Sequence, residues 1–151
     1  MRLVLLAIAA TAAFAQAPPA SGAASSLDFQ FFKTRVQPVF LAKRPGHARC
    51  YVCHSTGTAF RLQRLSPGAA TWNDEQSHRN FEAAQREVVV GDPQASRLLM
   101  HPLAAEAGGD VFHGGGKHWE SQDDREWRVM AEWVRGLKAA AARKLAKAVL
   151  P

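Results

Sequence analysis

An all-α fold is what the sequence predicts, and three observations predict it. Apolar residues recur at helical spacing near one end, as Phe29, Phe32, Val36 and Phe40, and again near the other, as Trp127, Met130, Val134 and Leu137. Between them Asn73 and Gln76 stand three apart, the pattern of a capping box, ahead of Phe81, Ala84 and Val88 on one helical face. Alternation of the kind a strand needs is confined to the short Phe60-Arg61-Leu62, enough for a strand fragment at most.

A chain of 151 residues suits one domain with one buried core. Its first residues are expected to leave that domain. Arg2 gives a positive start, Leu3 to Ala13 form an apolar run, and Ala13-Phe14-Ala15 closes it, so residues 1–15 read as a signal peptide cleaved before Gln16. The run is well short of the roughly 20 residues that span a bilayer. No cysteine lies near the cleavage point to carry a lipid, so a free, exported and most simply periplasmic protein is expected. Residues 16–26, QAPPASGAASS, have only Gln, Pro, Gly and small side chains and read as a flexible leader.

The folded domain is expected over residues 27–137, with three to five helices. The first is predicted to bend or end near Pro38, since proline lacks the N–H that the helix needs. The second runs from the Asn73 cap to about Val89, with Gly91 as its stop. Asp92-Pro93 predicts a short third helix ending before Pro102, because aspartate accepts from first-turn amides and proline suits the first helical position. Residues 103–120 hold Gly108, Gly109, Gly114, Gly115 and Gly116 and predict an irregular loop, which carries His113 and His118. Ser121 and Asp124 suggest a cap for a last helix starting near Gln122, and residues 138–151 extend it as a basic helical tail.

Charge narrows the partners. The chain carries 19 Lys and Arg against 13 Asp and Glu, and loss of Arg2 with the leader lowers the formal charge from +6 to +5. Basic residues peak at Lys138, Arg143, Lys144 and Lys147, which favours an acidic protein face or an anionic membrane surface. Nucleic acid is a poor partner for an exported protein.

Both cysteines of the chain fall in Cys50-Tyr51-Val52-Cys53-His54. Two thiols three apart with histidine next is the attachment pattern of c-type haem: each thiol adds to one vinyl group, and His54 lies under the iron as proximal ligand. A structural disulfide needs no following histidine, a thioredoxin-like pair needs a strand and a βαβ setting, and zinc needs two further ligands at matching spacing. Occupancy of the distal position then decides whether the iron passes electrons or binds gases or peroxide. The candidates are Met100, His101, His113, His118, Met130, His47 and His78. Of these Met130 sits on an apolar helix face and suits the core, His78 lies on a charged helix surface, and His47 lies in a loop.

The CxxCH motif, Val36-Gln37-Pro38 closing the first helix, the segment GDPxxSxLL from Gly91 to Leu99 and a final helix containing Trp133 together resemble the class I cytochrome c fold. They resemble the planctomycete-type cytochrome c domain most closely, over residues 28–137 or so. That resemblance implies one covalent haem c and one-electron transfer between redox proteins. It also implies a distal methionine in a Met-Pro-Pro loop before the last helix, and here Phe112-His113-Gly114-Gly115-Gly116-Lys117 stands instead. His113 occupies the methionine's slot, 59 residues after His54, a separation like that in similar domains, so bis-histidine ligation is expected. His118, Met100 and His101 remain alternatives, as does a vacant position. The glycines would let the backbone approach the haem. Trp119, Trp127, Trp133 and Phe40 are expected to wall the haem or join the first and last helices, and Arg49, Arg61 and Lys117 to pair with propionates. An electron carrier rather than an enzyme is expected. The alternatives are a peroxidase or gas sensor with a displaceable distal ligand, and a haem subunit of a larger respiratory complex.

Overall fold

Asp28 opens the first helix by accepting the Phe31 N–H on its carboxylate at 2.8 Å. In the computed structural model, which describes residues 27–136, this helix covers 29–41 in three stretches: Phe29–Phe31, a wide π turn over Phe32–Val36, and Gln37–Leu41. Pro38 removes one helical N–H, and its ring crowds the carbonyl four residues back. The π turn just ahead, in which the Gln37 N–H donates to Phe32 O, takes up that misfit. The helix therefore passes through Pro38 to Leu41 instead of ending there. Phe31, Phe32, Val36, Val39 and Phe40 are buried, while Phe29 sits half-buried at the rim, stacked 3.7 Å from His78.

The last helix, Arg125–Val134, packs across the first and buries Trp127, Met130, Ala131, Trp133 and Val134. It starts three residues later than expected. Ser121 forms a turn, accepting the Asp123 and Asp124 amides on its hydroxyl and carbonyl, and the carboxylate that caps the helix is that of Asp124, accepting the Glu126 N–H. At the far end Gly136 is left-handed (φ 74°) and donates to Trp133 O. That arrangement stops the helix at Val134. The predicted signal peptide, leader and basic tail lie outside the described residues, among which no helix is long and apolar enough to cross a membrane.

Asn73 and Gln76 form the expected capping box at the start of the helix Asp74–Gln85. This helix stops short of Val89 because the next residues bond sideways: Glu87 O accepts from Leu98 N, and Val89 N donates to the buried Ser96 hydroxyl. Asp92 caps a turn, accepting from Gln94 and Ala95, and the helix Arg97–Met100 begins only after Ser96. No strand forms at 60–62. The described chain is helical, its extended pairings limited to isolated bridges such as Leu103 with Trp119.

The segment 103–120 is irregular apart from a 3-10 turn at Ala105–Ala107. Close backbone approach is needed at Gly109, where a Cβ would lie 2.1 Å from the carbonyl oxygen of buried Leu103. Only backbone movement relieves such a clash. Gly109→Ala is expected to cost about 1–3 kcal/mol, the range for forcing extra volume into packed structure. Chemical denaturation of the variant tests this, and a loss below about 0.5 kcal/mol would contradict it.

Candidate functional site

The first helix, the last helix and the segment 97–119 leave a cleft of about 260 Å³ between them. That is many times the roughly 30 Å³ share of one water. Val39, Phe40, Phe60, Leu98, Trp119 and Met130 give it apolar walls. The motif forms its own short helix, Cys50–His54, which sets Cys50, Cys53 and His54 together along one side. Both cysteines are free thiols, Cys50 half-buried and Cys53 exposed.

His113 faces His54 across the cleft, with ring centroids 6.2 Å apart and planes 17° from parallel. Each ring is held by its Nδ1. His54 Nδ1 lies 2.9 Å from Phe60 O and His113 Nδ1 bonds to Gly116 O. A carbonyl only accepts, so each Nδ1 carries a hydrogen, and in the neutral form of such a ring the lone pair is on Nε2. His101 lines the same cleft with its Nδ1 2.7 Å from an Asp110 carboxylate oxygen, its centroid 4.9 Å from that of His113.

His118 also lines the cleft, 5.7 Å from His113, but its buried Nδ1 has no hydrogen-bond partner. Burial, with Arg44 nearby, pushes its pKa down to about 4, and burial likewise lowers that of His113. Both imidazoles are thus neutral at pH 7, the form that binds metal. Without a bound group, the unfolded His118 takes up a proton near its ordinary 6.5 that the folded one refuses until about 4. Its contribution to stability is therefore present above 6.5 and lost as pH falls toward 4. His118→Gln is expected to flatten the fall in unfolding midpoint over that window, and an equally steep fall in the variant would refute it.

Several expected residues stand elsewhere. Met100 packs against the core rather than lining the cleft. Met130 is both core and cleft wall, whereas Trp127 and Trp133 lie in the core. Arg49 lines the cleft and Arg61 is exposed, but Lys117 donates to the carbonyls of His101 and Asp110. His47, expected in solvent, is half-buried 5.2 Å from His118.

Sequence reasoning missed Arg97, which lines the cleft, and Arg44. Arg44 pairs with Glu126 of the last helix (Nε to Oε2, 2.7 Å), donates to Val39 O, and brings Nη1 within 3.8 Å of Cys50 Sγ. Burial raises the Cys50 pKa all the same, the nearby guanidinium offsetting only part of it. The pair spans 82 residues, and no local pattern announces it. Among the described residues no three His, Cys, Asp or Glu side chains gather to hold a bare metal ion. No family model, curated protein or solved structure matches the chain.

Proposed function

We propose that the chain is an exported, single-haem c-type cytochrome that carries one electron at a time between redox partners, with His54 and His113 as the residues that would hold its iron. The observation that carries this reading is a pair of near-parallel imidazoles, 6.2 Å apart and each tied down through Nδ1, in one cleft with two free thiols. The 6.2 Å between the ring centroids would leave room for both imidazoles to hold one metal ion. The orphaned His118 Nδ1 is a further sign that the cleft holds a group able to satisfy it.

Cys50 and Cys53 would each form a thioether, the sulfur bonding one vinyl carbon and the thiol hydrogen passing to the other. The bound iron would supply the one-electron couple. This chain's part is to fix both imidazoles in one tautomer, wall the ring with Phe40, Phe60 and Trp119, and offer Arg49 and Arg97 to its carboxylates. Two nitrogen ligands set a lower potential than a nitrogen and a thioether. Among the described residues the fold is helical without strands, as an all-α fold requires, and the class I cytochrome c and planctomycete-type resemblance is carried into this proposal from the sequence.

Between residues 27 and 136, 14 basic residues meet 13 acidic ones, so the surplus charge expected to meet an acidic partner or membrane lies almost wholly in the tail. Expression with an export signal in a host that attaches haem tests the proposal. Mature protein heavier by one haem, with reduced haem spectra of the thioether type, is expected. Protein of unmodified mass, with both thiols still open to alkylation, would refute it.

A further inference from the structure

Taking the haem reading as its basis, we propose that Lys117 is the positioning residue of the distal ligand: it ties together the two ends of the loop that holds His113 and so sets how readily another ligand displaces that histidine. Apart from the His113 ring packed on His101 and His118, the loop 111–116 has little else to hold it. Val111 and Phe112 are 92% and 76% exposed, so apolar burial contributes almost nothing there. Within it the Gly116 N–H donates to His113 O, and His113 Nδ1 returns to Gly116 O. Both bonds shape the loop and fasten it to nothing outside.

Anchorage comes at its ends. Asp110 N donates to Met100 O at 3.0 Å, and His118 N donates to Pro102 O at 2.7 Å. Lys117 joins these two anchors, its ammonium donating to His101 O at 3.0 Å and to Asp110 O. An ammonium shared by two carbonyls makes charge-assisted bonds, stronger than neutral ones. The His101–Asp110 contact closes the same ring of residues from the other side. The clamp thus resists the outward swing that would lift His113 from the iron.

The test compares the haem-loaded parent chain with Lys117→Met, Lys117→Arg and His113→Ala. Carbon monoxide binding to the reduced protein reads the fraction of molecules with an open distal position. Losing a hydrogen-bonded charge shifts such an equilibrium roughly ten- to hundredfold, so the rate in Lys117→Met should rise by that factor. Lys117→Arg, which keeps the charge and donors, should stay nearer the parent. Amide exchange at Gly116 should quicken in Lys117→Met, with the unfolding midpoint and haem content unchanged.

A carbon monoxide rate in Lys117→Met equal to the parent's overturns the clamp. The same holds if exchange quickens throughout the chain rather than over 110–117, since that marks general loosening. If His113→Ala binds carbon monoxide no faster than the parent, the ligand assignment fails and the clamp with it. A parent chain that carries no haem is a different failure, of the haem reading itself.

Discussion

In the haem-loaded His113→Ala chain, the ferric iron is expected to pass from low to high spin and the ferrous iron to bind carbon monoxide roughly ten- to thousandfold faster. The range follows from the population of a minor open state, about 0.1–10% when two conformations differ by a few kcal/mol; deleting the ligand makes that state the whole population. The assignment rests on orientation as much as distance. His113 is the imidazole that faces His54 with near-parallel planes and an Nδ1 tied to Gly116 O. His118 has no group fixing its tautomer, and Met100 packs away from the cleft. His101 is the serious competitor, because Asp110 fixes its Nδ1 as Gly116 fixes that of His113. Absorption and electron paramagnetic resonance spectra of His113→Ala beside His101→Ala separate the two. Unchanged low-spin iron in the first, with changed ligation in the second, would move the distal role to His101.

What the sequence made legible follows from where local forces decide. The apolar stripe Phe32, Val36, Phe40 and the stripe Trp127, Met130, Val134 both become buried helix faces, because packing a periodic stripe against the rest of the fold stabilises a helical segment that is marginal alone. The Asn73–Gln76 capping box is a bond between near neighbours and was equally readable. Helix ends were less so. Asp92 and Ser121 spend their hydrogen bonds on tight turns of their own instead of on helix caps, and Val89 bonds the Ser96 hydroxyl seven residues on. The π turn before Pro38 answers a steric conflict that sequence locates without saying how it resolves. On the side of the cleft facing His54, the sequence offered a glycine-rich loop, with His113 favoured by its place in the resemblance and His118, Met100 and His101 as alternatives. Which histidine faces His54 depends on contacts among Lys117, Asp110 and His101, and the Arg44–Glu126 pair joins residues 82 apart. Neither pattern has a period to detect.

Trp133→Ala carries the largest stability loss expected in the molecule, about 3–5 kcal/mol, against a total of about 5–15 for a domain. Trp133 is fully buried where the first and last helices cross, with its ring 5.2 Å from Phe32 and 6.0 Å from Phe81. Its indole N–H donates at 3.1 Å to the carbonyl of Asp28, the residue that caps the first helix. Alanine removes the packing of three elements at once and leaves a cavity whose rigid helical walls collapse only partly. Trp133→Phe separates packing from hydrogen bonding. It keeps a ring, and Asp28 O still accepts the Phe32 N–H at 3.0 Å, so no carbonyl is orphaned and the polar part of the loss should be near 1 kcal/mol. Urea unfolding of the parent and both variants, compared at equal denaturant slope, measures these values. A loss below about 1.5 kcal/mol in Trp133→Ala would mean that the helix crossing is held by other contacts, and that the two helices framing the cleft do not depend on this indole.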